Sequence, residues 1–269
     1  MTGTVAFTAL LPVYGGDDAG YFQEAVDSIA ASSAPPAELL ICQDGALPAD
    51  LARAVAGAVR AGARIVVNDG PRGLHHNLNQ ALGRVTTPWI ARCDADDINA
   101  PDRFARQTKY LADHPDVGVL GGDLIEFWPD GRTRSKIMPL DHAAIVAWAR
   151  WRSPVNHNTV FYRTEDVLAC GGYPNLPLKE DYALWLKMIA RGVRFANLRA
   201  DLVRARLGAG FYERRAGGRN LSSEWQIYRI KRGVPGVGGA VAALAFAARS
   251  AVLASRSMTE IVYDLGLRR

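Results

Sequence analysis

The stretch Pro88-Trp89-Ile90-Ala91-Arg92-Cys93-Asp94-Ala95-Asp96-Asp97 decides how this chain folds and where it works. Residues 88–93 are apolar or strand-compatible and read as a buried β-strand. Directly behind them stand three carboxylates in four residues. Such a group repels itself, so a fold that keeps it together supplies a cation. Hard oxygen donors suit Mg²⁺ or Mn²⁺, which retain waters and bind through one or two carboxylates plus substrate phosphates. The competing reading is a solvated acidic turn capping the next helix. Placement at the end of a strand in a parallel sheet favours the cation.

Upstream, strand-like runs at 4–11, 38–42 and 64–67 alternate with helical patterns at 19–32, 47–61 and 75–83. In 19–32, Tyr21, Phe22, Ala25, Val26 and Ile29 recur at three- and four-residue spacing. This alternation implies βαβ units, hence an α/β fold with one doubly wound, mostly parallel sheet flanked by helices. Ligands of such sheets bind outside the carboxyl ends of the strands. Tyr14, Asp44, Asn68 and Asp94 each follow a strand and fall at that edge. Downstream, Pro101 suits the first turn of a helix over 102–113. A strand over 117–127, a turn at Asp130-Gly131, a helix over 141–150, a strand over 158–162, a helix over 179–191 and a strand over 193–198 complete one expected domain, residues 1–210.

Residues 211–269 form an expected basic helical extension. From Arg204 onward there are 12 Lys+Arg against 4 Asp+Glu, while the preceding chain holds 20 against 23. The uncharged run 234–248 is shorter than the ~20 apolar residues that span a bilayer. It reads either as a helix lying on an anionic membrane surface or as one packed on the parent domain. Hydrophobic content of 49% and charged content of 22% place the chain among globular proteins and exclude disorder. Cys42, Cys93 and Cys170 lack metal-ligand spacing and read as reduced thiols. Met1 is followed by no basic and apolar leader, so the expected location is cytoplasmic, peripheral to the inner face of the membrane if the extension binds there.

Further acids stand at informative points. Asp44, in Gln43-Asp44-Gly45, can accept a hydrogen bond from a nucleobase or simply shape a turn. Glu180-Asp181 opens the helix at 179–191; the pair either caps it or supplies a general base, Asp181. His157 precedes a strand and reads as structural or site-lining. Arg204, Arg206, Arg214, Arg215 and Arg219 form a solvated face or a phosphate clamp.

In this order the motifs resemble the family 2 glycosyltransferases of the GT-A fold, especially the bacterial branch that builds capsule, exopolysaccharide and O-antigen chains. The resemblance rests on TALLPVY (8–14), LLICQDG (39–45), GLHHNLNQAL (73–82), IARCDADDINAPDR (90–103), NTVFYR (158–163), Gly171-Gly172-Tyr173 and EDYALW (180–185). It implies that Pro12, Val13, Tyr14 and Asp44 hold the nucleoside of a nucleotide-diphosphate sugar. It implies that Asp94 contacts ribose or metal, that Asp96 ligates Mn²⁺ or Mg²⁺, and that Asp181 is the base of an inverting transfer to a glycan or lipid-linked glycan acceptor. His157 falls on the acceptor side, and Asn79, Arg92 and Glu180 are expected as further substrate contacts. Two departures stand out: Gln43 replaces a frequent aspartate, and no histidine follows His157 as an additional ligand.

Three other functions compete. A non-catalytic sugar- or nucleotide-binding module is compatible with the same sheet. A nucleotidyltransferase commonly carries a basic Gly-rich loop after its first strand, whereas residues 12–18 (PVYGGDD) have no Lys or Arg. Nucleic-acid binding by the tail lacks the interleaved aromatics of a stacking platform and is not expected.

Overall fold

The computed structural model describes residues 5–207 and 218–253. Nine strands form one sheet in the order β3-β2-β1-β4-β8-β6-β9-β5, with β7 beside β6. The strands are β1 (Phe7–Tyr14), β2 (Glu38–Asp44), β3 (Arg64–Asn68), β4 (Trp89–Arg92), β5 (Ile98–Asn99), β6 (Val117–Phe127), β7 (Thr133–Lys136), β8 (Phe161–Arg163) and β9 (Arg194–Arg206). The helices are α1 (Ala19–Ala30), α2 (Ala49–Arg60), α3 (Leu74–Leu82), α4 (Arg103–Asp113), α5 (His142–Trp148), α6 (Thr164–Ala169), α7 (Glu180–Ala190), α8 (Gly218–Arg232) and α9 (Ala240–Leu253). The α/β sheet flanked by helices is as the sequence implied.

Strands β3, β2, β1 and β4 are all parallel. Beyond β4 the sheet is mixed, with β8 antiparallel to both β4 and β6, and β9 parallel to β6. Each face is covered by its own core. On one face Phe22, Ile29, Leu51 and Phe104 from α1, α2 and α4 meet Leu11, Ile41 and Phe161. On the other, Leu78, Ile145, Leu184, Trp185 and Met188 from α3, α5 and α7 meet Leu10, Leu40 and Ile90. Burying each such side chain contributes roughly 1.5–3 kcal/mol. Strands covered on both sides read as continuous apolar runs, which is why the parallel half is visible in the sequence.

Pro12 sits inside β1 rather than ending it. The β1–β4 ladder stops at Leu10↔Arg92, so the missing N–H of Pro12 costs that ladder no bond. Strand β9 runs eight residues past the expected end at 198. Its register with β6 shifts between Gly122 and Leu124, so extra β9 residues bulge out around Arg199-Ala200-Asp201 and interrupt the alternation. The expected strand at 158–162 is a 3-10 turn, His157–Thr159, followed by β8.

The 210/211 boundary falls outside the described residues, as do Arg214 and Arg215. Helix α9 begins at Ala240, so 234–239 is a turn rather than the start of a helix. It packs with α8, where Ile227, Val234, Val237, Ala242 and Ala245 are buried. Lys231 Nζ donates to the Arg150 carbonyl at 2.9 Å and Arg150 Nε to the Gly236 carbonyl at 2.7 Å. These contacts pack the extension on the parent domain. Among the described residues no helix is long and apolar enough to cross a membrane. The three cysteines are free thiols.

Candidate active site

Parallel pairing puts the ends of β1, β2 and β3 in one row: Tyr14 is paired with Asp44 and Asp44 with Asn68. Asp44 is buried, and its two oxygens accept the Arg72 and Gly73 amides at 2.9 and 2.8 Å. That folds the 70–73 loop over the strand end. Gly45 permits the approach: it has φ +78°, and a Cβ there would stand 3.0 Å from Pro71 N. An ionised carboxylate offers about four acceptor positions, so Asp44 retains capacity for a ligand N–H. Tyr14 is exposed beside it. Pro12 and Val13 are buried, and the Val13 side chain belongs to the core.

The acidic loop after β4 is fixed from three sides. Asp97 is buried; Asn158 Nδ2 donates to one of its oxygens and the Arg206 amide to the other at 3.0 Å. The next two residues, β5, pair with β9. Arg206 Nε reaches the Asp96 carbonyl, and its guanidinium packs over Tyr21 at 3.8 Å. Burial, then Asp94 and Asp96, raise Asp97 well above the carboxylate range. Asp97 is thus taken up by the fold, whereas Asp94 is half-buried and Asp96 exposed. Asp94 accepts from Arg92 Nη2 at 2.6 Å. Asp96 is open to solvent, and no described Lys or Arg is ion-paired with its carboxylate. Burial, then Asp94, raise it to about 6.

Two residues that sequence reading passed over join this group. Asp17, on the loop after β1, accepts the Tyr14 amide at 2.9 Å. Burial, opposed by that amide and reinforced by Asp96 and Asp94, raises it to about 7. An acid three residues beyond a strand end at the ligand edge was the available signal. Ser153 Oγ lies 3.4 Å from Asp181; nothing in its local pattern marks it.

Glu180 and Asp181 form the first turn of α7, a helix apolar nearly all round and held in the core by Tyr182, Leu184, Trp185 and Met188. Burial, then Asp181, raise Glu180 to about 7. Burial also raises Asp181, while the Tyr182 amide, Lys179, Lys136 and Ser153 pull it partly back. A carboxylate raised this way is a stronger base than a free one.

Three expected substrate contacts have other partners. Asn79 donates to the Tyr173 carbonyl and accepts its amide, both at 2.8 Å, stapling α3 to the 171–173 loop. Gly172, φ +72°, allows this, because a Cβ would meet Asn79 Oδ1 at 2.3 Å. Arg92 is fully buried, donates to the Cys93 carbonyl and to Asp94, and leaves Nε without a partner. It reaches the cleft only through Asp94. His157 is half-buried against Tyr173 and Trp185, with Nε2 2.9 Å from the Tyr173 hydroxyl. Burial, then Arg92, push it well below the usual imidazole range, so the ring is neutral.

Among the described residues no three His, Cys, Asp or Glu side chains are gathered to hold a metal by themselves. Two carboxylates that the fold leaves unburied match the set a Mg²⁺ or Mn²⁺ uses when water and diphosphate oxygens complete its shell. Asp94 and Asp96 fit that ion.

Residues 8–172 match the family described as Glycosyl transferase family 2. The chain belongs to that family. This confirms the resemblance carried by the motifs, and makes the protein a glycosyltransferase. It is 33% identical over 226 residues to the amylovoran biosynthesis glycosyltransferase AmsE of Erwinia amylovora, covering 84% of this chain and 85% of that one. It is 30% identical over 233 residues to the UDP-Gal:alpha-D-GlcNAc-diphosphoundecaprenol beta-1,3-galactosyltransferase of Escherichia coli, covering 84% of each. The fold is shared with S. aureus TarS 1-349 in complex with UDP-GlcNAc, at a TM-score of 0.70 and 18% identity over 93% of this chain and 72% of that one. It is shared too with the mannosyltransferase PcManGT from Pyrobaculum calidifontis in complex with GDP-Man and Mn²⁺, at 0.58 and 19% over 97% and 80%. The sheet is therefore that of a GT-A glycosyltransferase.

Proposed function

We propose that this family 2 glycosyltransferase is an inverting, metal-dependent enzyme of surface-polysaccharide synthesis. It moves a sugar from a nucleoside-diphosphate sugar to a hydroxyl of a lipid-linked glycan at the cytoplasmic face of the membrane. One observation carries the reading. The Tyr14–Asp44 row and the Asp94/Asp96 pair share one sheet edge, and a half-buried Asp181 with a raised pKa opens the central helix α7.

The nucleoside lies along the ends of β1 and β2, against Tyr14 and Asp44. Asp94 and Asp96 would hold a divalent ion, which would supply charge neutralisation for the departing diphosphate. Asp181 takes the proton from the acceptor hydroxyl. The acceptor oxygen forms its bond to the anomeric carbon as the bond to diphosphate breaks, so no covalent enzyme intermediate is needed.

The printed function of the E. coli relative, transfer to a diphosphoundecaprenol-linked sugar, supports a lipid-linked acceptor. So does the α8–α9 pair, which exposes Trp225 and Leu244 at 48% and 64% beside exposed Arg229 and Arg232, a composition suited to an anionic membrane surface. The test is a panel of nucleotide sugars with Mn²⁺ and a polyprenyl-diphosphate-linked sugar in anionic vesicles. At least one donor should release nucleoside diphosphate, and release should rise at least tenfold when the acceptor is vesicle-borne. Absence of release with every donor contradicts the transfer; equal rates with a water-soluble acceptor contradict the lipid-linked one.

A further inference from the structure

The segment that delivers Asp181 to the site is held by a device outside the family-matched residues 8–172. Among the described residues Leu178 is the one non-glycine at positive φ, +66°. A leucine there is strained because its Cβ crowds the following carbonyl, and such strain persists only where neighbours impose it. Its side chain is exposed, at 45%, so packing of its own side chain is not what holds it.

The residues on either side of it are held by consecutive residues of α8. Ser223 Oγ donates to the Pro177 carbonyl at 3.0 Å. The Lys179 ammonium lies 2.7 Å from Glu224 Oε1, and the same oxygen is 3.1 Å from Arg249 Nη1 of α9. Ser223 and Glu224 are both buried. Burial works against the charge on Glu224, but Arg249 and then Lys179 outweigh it and hold the carboxyl below its ordinary range. Lys179 is the residue immediately before α7, and its carbonyl accepts the Ala183 amide at 2.9 Å in the first turn.

We propose that Glu224, together with Ser223, is a positioning residue for the transfer reaction: gripping Pro177 and Lys179, it keeps Leu178 left-handed and so fixes the first turn of α7 that presents Asp181. The body of α7 is locked in the core, so release of the grip moves the first turn and not the helix. Relaxation of Leu178 to negative φ rotates the chain entering that turn. The nucleotide residues, on β1, β2 and β4, are untouched. This inference rests on Asp181 being the base.

The experiment uses the full chain with a donor that the wild type turns over. Glu224→Gln keeps the shape and removes the charge. It should lower kcat at least tenfold, while KM for the nucleotide sugar and Kd for UDP with Mn²⁺ stay within twofold. Adding Leu178→Gly, which accepts the left-handed conformation freely, should recover at least threefold of the lost kcat. Unchanged kcat in Glu224→Gln, parallel loss of UDP affinity, or no recovery with Leu178→Gly overturns the proposal. If Glu224→Gln does not fold, Ser223→Ala carries the test: kcat should fall at least threefold with UDP affinity unchanged, and an unaltered kcat overturns it. Asp181→Asn run in parallel separates the two failures. An inactive Asp181→Asn beside a fully active Glu224→Gln removes the clamp alone, whereas an active Asp181→Asn removes the base on which it rests.

Discussion

Asp181→Asn is expected to lower kcat by at least 10²-fold while the Kd for the nucleoside diphosphate of the donor with Mn²⁺ changes by less than threefold. Positioned general bases contribute roughly 10²–10⁴-fold, and asparagine keeps the shape while abolishing proton uptake. Nucleotide affinity survives because Asp181 belongs to α7, while Tyr14, Asp44, Asp94 and Asp96 sit at the ends of β1, β2 and β4. The pH profile carries a second signature. The base must be ionised to act, and burial lifts Asp181 above its ordinary 3.8. Below its folded-state pKa it is protonated and idle, so the acid limb of kcat should fall tenfold per pH unit with its midpoint above the range of a free aspartate. Asp181→Glu should keep an acid limb. Full turnover by Asp181→Asn would remove the residue from the mechanism.

Asp96→Ala is expected to abolish the Mn²⁺ dependence of nucleoside-diphosphate binding. Affinity in Mn²⁺ should fall at least tenfold to the level of chelator-treated wild type, and transfer should fall at least 10²-fold. Asp96 is singled out by what surrounds it. Asp97 is tied to Asn158 and the Arg206 amide, and Asp94 shares its charge with Arg92. Asp96 alone of the three is exposed. Removing a fold-committed acid would instead lower stability, so thermal melting separates the two outcomes: Asp96→Ala should melt no lower than the wild type, because a carboxylate raised to about 6 is a liability to the folded state at neutral pH. The sign follows from proton binding. A group whose folded pKa is raised binds protons more tightly when folded, so its contribution to stability declines as pH rises from about 4 to about 6. Nucleoside-diphosphate affinity in Asp96→Ala that still rises with Mn²⁺ would place the ion elsewhere.

Much of this was legible in the sequence, for identifiable reasons. Strands β1 to β4 are covered on both faces and leave unbroken apolar runs, and their parallel pairing sends Tyr14, Asp44 and Asp94 to one edge. The carboxylates there have no place in a core and so declare themselves. What stayed hidden depends on contacts distant in sequence. Strand β5 is two residues long and exists by pairing with β9 more than a hundred residues later. The β9 bulge broke an alternation that would have extended the strand. Strand β7 reads Thr133-Arg134-Ser135-Lys136, an exposed edge without an apolar face. Asn79 looked like a polar residue on a helix at the site, but its amide serves Tyr173, 94 residues away. The grip of Ser223 on Pro177 spans 46 residues and follows no motif.

The anomeric configuration of the product tests the central claim most directly. A single displacement with Asp181 as base inverts the reacting carbon. NMR of the product formed by the wild type from an α-linked nucleotide sugar should show a β-linkage. An α-linked product would contradict the account.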